Sequence, residues 1–316
     1  MHFNRPVEHY ATLFDSHYLP QGLCLHQSLV AHASPFYLWI LCMDEEVEEA
    51  LRGLGLTNVT LVPLRDVETT ELKAAKSVRT IGEYCWTMTP FLQRFVIEHA
   101  PEIEQVTYLD ADLYFFDSPR RLLEELQESG KDVLITEHAY APEYSSSIRF
   151  GRFCVQFMTF RNTEGGRRVL RWWQDRCLEW CYAREEGGKF GDQKYLDEWP
   201  ELFRDEVHVL RQTEKTLAPW NVAHTSRIYG AVAPVFFHFH SLKVYKPNKV
   251  RLFSTYYIGD ENMWIYERYL STFRAAVDLM RCTGIAIRTS ALPREPLYWI
   301  RRPKWWLEGR LRYTWV

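Results

Sequence analysis

The sequence predicts an α/β protein, a mainly parallel mixed sheet flanked by helices, followed by a helical extension that ends in a basic, aromatic tail. Three observations carry that expectation. Short apolar runs alternate with helical patterns through the first half, the signature of βαβ units. Two carboxylates, Asp110 and Asp112, close one of those runs, and ligands of such sheets gather at the carboxyl ends of strands. Beyond about residue 250 the sheet rhythm stops and helix-like sequence takes over. The expected division is a sheet domain over residues 1–250 and an extension over 251–316.

The elements follow in order. Residues 7–14 read as the first strand and 22–32 as a helix by their apolar spacing. Residues 36–43 give a second strand, bounded by Pro35 and Asp44, and 45–53 a helix; 59–62 form a third strand. A helix over 83–99 leads into the strand 106–109 and the acidic pair. After Pro119 come a helix over 121–128 and a strand over 133–136, then a polar loop holding Ser145 to Ser147. The apolar run 153–160 precedes a long tryptophan-rich helix over 165–182.

Composition excludes several classes. The 316 residues are 47% hydrophobic and 25% charged, ordinary for a globular chain with ample core. A net charge of −3 leaves no basic excess to neutralise a nucleic-acid backbone, so no nucleic-acid partner is expected. The seven cysteines are odd in number, scattered and without a C-x-x-C pair, which fits reduced thiols in the cytosol better than disulfides or zinc. The N-terminus lacks the apolar core of a signal peptide, and the most apolar stretch is only strand length. A cytoplasmic, non-secreted protein is expected, without a membrane span.

The acidic pair carries the chemistry. Side chains two apart in an extended segment point the same way, so Asp110 and Asp112 can converge on one ion. Unpaired, two such anions repel and each carries a desolvation cost that a divalent cation removes. Far downstream lie His238, His240, Lys243, Lys246 and Pro247. An imidazole with two carboxylates makes a mixed oxygen and nitrogen site, tilted toward Mn²⁺ with Mg²⁺ as the alternative. A lysine beside it suits a substrate bearing several phosphate charges. Either His238 or His240 can supply that imidazole.

The order and spacing of these segments resemble glycosyltransferase family 8 and its bacterial relatives of the Rossmann-like GT-A fold, which include glycogenin and lipopolysaccharide galactosyltransferases. The resemblance covers residues 7–250 in motif order. It implies a metal-dependent transferase that moves a hexose from a UDP-sugar, or another nucleotide-diphosphate sugar, to a glycan or glycolipid acceptor with retention. By that pattern Asp110, Asp112 and His240 are metal ligands and Lys246 contacts the diphosphate; His238 is the rival ligand, but the pattern's spacing to Lys246-Pro247 favours His240 and leaves His238 as a strand residue facing the core. Thr12, Asp15, Tyr18, Arg94 and Ala111 are the other donor contacts, with Asp15 reading the base edge and Tyr18 stacking on it. Asp192 and Gln193 match the family's catalytic Asp-Gln. Trp220-Asn221 has a structural or acceptor-side role. The chain departs from the pattern at Lys243, where relatives have glycine, at His17 for asparagine, and at Cys154 and Gln156, where relatives show Asn-x-Gly.

Two alternatives stay open: a sugar-nucleotide nucleotidyltransferase, and a degenerate GT-A module that only binds. The first usually needs an N-terminal glycine-rich loop, and residues 7–30 hold only Gly22. The tail, residues 293–316, carries six cations against two acids, a charge of +4 that leaves −7 for the rest. Its interleaved Trp299, Trp305, Trp306, Tyr313 and Trp315 give the composition of an interfacial anchor for an anionic membrane surface. Packing of the tail on the domain, arginine against tryptophan, is the other reading.

Overall fold

The computed structural model describes residues 6–246, 248–291 and 296–316. Residues 1–5, Pro247 of the Lys-Pro motif and the first tail residues 293–295 lie outside the described residues. The first half builds a parallel sheet. β1 (Glu8–Phe14), α1 (Leu19–His32), β2 (Phe36–Cys42), α2 (Glu45–Leu54) and β3 (Val59–Pro63) come first. Then α3 (Leu64–Val67), α4 (Thr70–Lys76) and α5 (Ile81–His99) lead to β4 (Gln105–Leu109). β1 pairs in parallel with both β2 and β4, and β2 with β3. Local signals fix the helix starts. Asp44 caps α2 by accepting from the Val47 N–H at 2.7 Å, and Thr80 with Glu83 forms a reciprocal capping box on α5.

β5 (Leu113–Phe115), α6 (Arg120–Ser129) and β6 (Val133–Glu137) follow. The serine-bearing loop is a run of 3₁₀ turns, Pro142–Phe150. β7 (Phe153–Arg161) enters antiparallel between β4 and β6. α7 (Glu164–Glu179), α8 (Trp199–Leu202) and β8 (Val207–Val209), the last parallel to β6, complete the sheet. Among the described residues its order is β3-β2-β1-β4-β7-β6-β8, the expected mixed and mainly parallel arrangement. One face is covered by α1, α2 and α6 through residues such as Leu25, Val47 and Leu122, and the other by α5 and α7 through Met88, Leu92 and Trp173.

A second sheet positions the site. β9 (Thr216–Leu217), α9 (Val222–Tyr229) and β10 (Phe236–His238) follow β8, and the strand order is β5-β10-β9. β10 runs antiparallel to β5 with His238 opposite Leu113, and the Phe239 N–H donates to Asp112 O at 2.8 Å. This register sets the end of β10 beside the acidic pair.

Sheet structure does not stop at residue 250. β11 (Lys243–Lys246) and β12 (Lys249–Ser254) form a hairpin, so the expected domain boundary falls inside β12. After α10 (Met263–Cys282) and α11 (Pro296–Leu307), β13 (Leu311–Trp315) returns to pair with β12. The reason is burial: β12 hides Val250, Leu252 and Phe253, and it needs a partner on each edge. α10 packs on α1 and buries Tyr266, Tyr269 and Phe273 in the core shared with β1. Extension and sheet therefore share one core.

Glu125 on α6 is a buried hub, 4% exposed. Its carboxylate accepts from His208 Nε2 at 2.8 Å, the Arg211 N–H at 2.7 Å and Gln212 Nε2 at 3.1 Å, pinning the chain after β8. Glu125→Ala strands those donors and is expected to cost about 3–5 kcal/mol in urea denaturation at neutral pH. Burial pushes this carboxyl up, but the hydrogen bonds from His208, Arg211 and Gln212 outweigh it and hold it below its ordinary 4.5. A depressed carboxylate contributes stability that is present above the unfolded value and lost as pH falls through the folded one. The gap between wild type and variant should therefore close in acid, below about pH 4.5.

Candidate active site

The loops at the carboxyl ends of β1 and β4 open into a cleft of about 630 Å³, and it contains the acidic pair. Asp110 follows β4 directly, and the Leu113 N–H donates to Asp110 O at 3.1 Å. The two carboxylates thus stand on a tight turn rather than on the extended segment expected from their spacing. The turn bends both toward the same point, as the pleat of a strand would have done.

β10 and the residues after it alternate Phe237, His238, Phe239, His240. Phe237 and Phe239 pack on α10, the Phe239 ring stacked on Tyr269 at 3.8 Å and the Phe237 ring 5.6 Å from Tyr266. Period-two alternation then turns both histidines to the other side, and both line the cleft. His238 Nε2 lies 3.1 Å from Asp112 Oδ1 and 3.8 Å from Asp110 Oδ2. One ligand atom from each of the three lies within 4.8 Å of the others, and no other such cluster occurs among the described residues. His238, the residue expected to face the core, therefore occupies the place that spacing gave to His240. The His240 ring stands one ring further out, its centroid 5.7 Å from that of His238.

The electrostatics of this floor call for a cation. Burial pushes the Asp110 carboxyl up to about 6, with Asp112 adding to the rise. Burial would lift Asp112 too, but His238 outweighs it and holds Asp112 below the usual carboxylate range. Asp192 reaches in from the loop after α7, only 4% exposed, and burial together with the charge of Asp110 drives its carboxyl well up. Three acids in one cleft, with His238 against two of them and His240 beside it, make a donor set that a divalent ion fits.

Asp192 and Gln193 both line the cleft. Trp173 Nε1 donates to Asp192 O at 3.0 Å, which fixes the backbone there. Gln193 Nε2 donates to Phe150 O at 2.9 Å, so its amide is oriented and Oε1 is the end left to accept. On the β1 side, Asp15, Tyr18 and Ala111 line the cleft as expected of donor contacts. Asp15 also caps the short turn Ser16–Tyr18 by accepting from the His17 N–H at 3.1 Å.

Four of the residues singled out in the sequence stand elsewhere. Thr12 is fully buried inside β1, beneath the cleft rather than in its wall. Arg94 lies on the solvent face of α5, opposite the buried Leu92 and Val96, and pairs with Glu98 at 2.7 Å. Lys246 is exposed on β11 and does not line the cleft, and Lys243 is likewise exposed. Trp220 lines the cleft, donates to His138 O at 2.6 Å and stands edge-on to His238 at 5.4 Å, while Asn221 locks the same loop through Ala218 N–H at 2.9 Å.

Two arrangements in the cleft arise only in the fold. One is an aromatic lining: His138, Tyr140, Trp220 and Tyr256 on one side, Trp86, Phe150 and Phe190 on the other. Scattered aromatics carry no positional signal in sequence. The other is the pair at which β7 departs from the family pattern: Gln156 Oε1 lies 2.8 Å from His238 Nδ1, and Cys154 lies against the same imidazole. The Phe-His-Phe-His alternation was the signal that could have found His238.

No family model matches the chain. It is similar to the Bacillus subtilis (strain 168) protein YfnD, 30% identical over 282 residues, 85% of this chain and 90% of that one. It is also similar to YfnF of the same organism, 32% identical over 257 residues, 77% of this chain and 84% of that one. Both are described as uncharacterized proteins. Among solved structures, the galactosyltransferase LgtC, in complex with donor and acceptor sugar analogs, aligns with a TM-score of 0.52 at 15% identity, over 93% of this chain and 99% of that chain. At that identity the likeness is one of fold, and the fold is GT-A, as the sequence motifs implied.

Proposed function

The chain belongs to the same family as YfnD and YfnF, and from that premise and its GT-A fold we propose that it is a metal-dependent glycosyltransferase. In this reading it moves a hexose from a UDP-linked donor to a glycan or glycolipid acceptor on the cytoplasmic side, with retention of configuration. One observation carries the proposal: two carboxylates, an imidazole and an oriented Asp192-Gln193 pair converge in one cleft at the strand ends. Asp110, Asp112 and an imidazole of the His238/His240 pair hold the cation, with nitrogen ligation favouring Mn²⁺ over Mg²⁺. The bound ion supplies charge neutralisation to the donor's diphosphate.

The remaining work falls to side chains. Asp15 and Tyr18 take the base, and Ala111 offers backbone beside the ribose. Asp192 orients sugar hydroxyls, and the Gln193 carbonyl faces the anomeric carbon as positive charge develops there. The acceptor oxygen attacks on the face from which the phosphate departs. The C–O bond to UDP breaks as the new glycosidic bond forms, and the acceptor proton passes to the leaving phosphate oxygen.

Incubation with Mn²⁺ and a panel of UDP-sugars tests the reading. Slow UDP release from at least one UDP-hexose, abolished by EDTA, is expected. Silence with every donor, with or without manganese, would leave a binding module.

No described helix is long and apolar enough to cross a membrane. The tail divides: β13 packs on β12, whereas α11 and the chain end expose Ile300, Trp306, Leu307 and Trp315 at 62–77%. Such aromatic and aliphatic exposure among arginines supports contact with an anionic bilayer surface. Full-length protein should sediment with anionic vesicles, and a form ending at Ala291 should not. Equal pelleting of the two removes the idea.

A further inference from the structure

The cleft wall beside the two histidines is built from four separate stretches of chain that meet in one aromatic stack. His138 and Tyr140 follow β6, and their rings lie parallel, 4.6 Å apart at 9°. Trp220 stands behind them, 5.9 Å from Tyr140 and 6.2 Å from Tyr256, which lies just past β12. Tyr144, from the 3₁₀ run, meets Tyr256 edge-on at 5.1 Å. His138 and Trp220 are sealed, whereas Tyr140 and Tyr256 keep part of their ring surface open to the cleft. Hydrogen bonds fix the corner as well. Trp220 Nε1 and Asn221 Nδ2 both donate to His138 O, at 2.6 and 3.1 Å, and the Ala141 N–H donates to Trp220 O at 3.0 Å. Between them Ala139 holds φ +48°, a left-handed conformation that alanine adopts only under constraint. On the other flank the Tyr257 N–H donates to Tyr144 Oη at 2.9 Å. Both tyrosine rings are thus in place before any ligand arrives, which removes an ordering cost from binding.

The charge of the cleft restricts what such rings can hold. Asp15, Asp110, Asp112 and Asp192 line it, and among the described residues no lysine or arginine does. A carboxylate or phosphate brought to this wall would meet those acids with no fixed side-chain cation to answer it. On the opposite wall Gly191 lies against Trp86, so neighbouring Asp192 and the donor sugar assigned to it belong to that side. The tyrosine side is left for a second sugar. We propose that Tyr140 and Tyr256 form the acceptor subsite, stacking on the C–H face of an uncharged pyranose. The inference rests on the transferase reading above and adds to it the acceptor's class: a neutral hexose or N-acetylhexosamine unit rather than a uronic, sialic or phosphorylated one. The C–H bonds on one face of a pyranose make an apolar patch that an aromatic ring covers, while the hydroxyls at its rim stay hydrogen-bonded.

Saturation-transfer NMR on the full-length protein with Mg²⁺ and UDP tests this without turnover. The probes are the methyl glycosides of glucose, galactose and N-acetylglucosamine, with methyl glucuronide as the anionic counterpart. At least one neutral glycoside should receive saturation, strongest on the ring C–H protons of one face, and the glucuronide should receive none. Tyr140→Ala and Tyr256→Ala should each weaken that glycoside about tenfold, and the two phenylalanine variants, which keep the ring, should bind it as wild type does. Adding UDP-glucose or UDP-galactose should leave the signal in place, because the donor sugar sits on the other wall. Displacement by a full donor, glucuronide binding equal to that of the neutral sugars, alanine variants that bind like wild type, or no neutral glycoside bound at all would each overturn the inference. UDP release from UDP-sugars is read separately, so the transferase reading survives any of those results. Absence of UDP release, with a glycoside still held by both tyrosines, removes the transferase reading and leaves a sugar platform. Circular dichroism of the alanine variants separates loss of fold from loss of a ring, and the wild-type comparison of neutral and anionic glycosides needs no substitution.

Discussion

Asp112→Ala should remove transfer almost completely, lowering the rate of UDP release by about a thousandfold or more. Removing the cation and its charge on the departing diphosphate is worth several kcal/mol of barrier, and every 1.4 kcal/mol is about tenfold. The carboxylate is the closest acid to His238, at 3.1 Å, and its loss takes away a proposed ligand and the counter-charge of that imidazole together. Stability should respond far less. The variant loses the Asp112–His238 attraction, but it also relieves the repulsion that helps raise Asp110. These effects oppose each other, so the melting temperature should move by a few degrees at most. Parallel measurement of Mn²⁺ affinity, UDP release and thermal unfolding reads all three. A large fall in stability, with activity lost only in proportion to unfolded protein, would make Asp112 a structural residue.

Gln193→Ala should lower kcat by about 10²–10³-fold while leaving the KM for the donor nearly unchanged. The side chain is neutral and makes a poor nucleophile, but its orientation is set: Nε2 is committed to Phe150 O at 2.9 Å. Its carbonyl dipole is therefore preorganised rather than free to rotate, and in the proposed reading it acts on charge that exists only in the transition state. Gly151 supports that placement. A Cβ there would stand 3.3 Å from Gln193 Cγ, and its φ of +142° favours glycine. A variant that raised KM with kcat intact would make Gln193 a binding contact. A covalent sugar adduct isolated on Asp192 with a slow donor would replace same-face substitution by a double displacement.

Much of this site was legible in the sequence for local reasons. Asp110 and Asp112 announce themselves because a short apolar run ends in two acids, and Asp44, Thr80 and Glu83 mark helix starts through bonds within a single turn. What escaped depends on partners far along the chain. Whether His238 or His240 meets the acids is set by the register of β10 on β5, a pairing of residues more than a hundred apart. The contact of Gln156 with His238 arises only once β7 lies beside β4. Arg94, which the family resemblance made a donor contact, lies on the solvent face of α5 beside Glu98, a placement set by the turn of that helix. β13 was hidden by its composition, since a tail rich in arginine and tryptophan reads as an anchor until the buried edge of β12 supplies a partner.

Crystals grown with MnCl₂ and UDP, measured at the manganese absorption edge, test the central claim most directly. One anomalous peak should lie between Asp110, Asp112 and the His238/His240 segment, with the UDP diphosphate against it and the uracil near Asp15 and Tyr18. UDP bound away from the acidic turn, or ordered in the cleft with no anomalous peak at the carboxylates, would contradict the account.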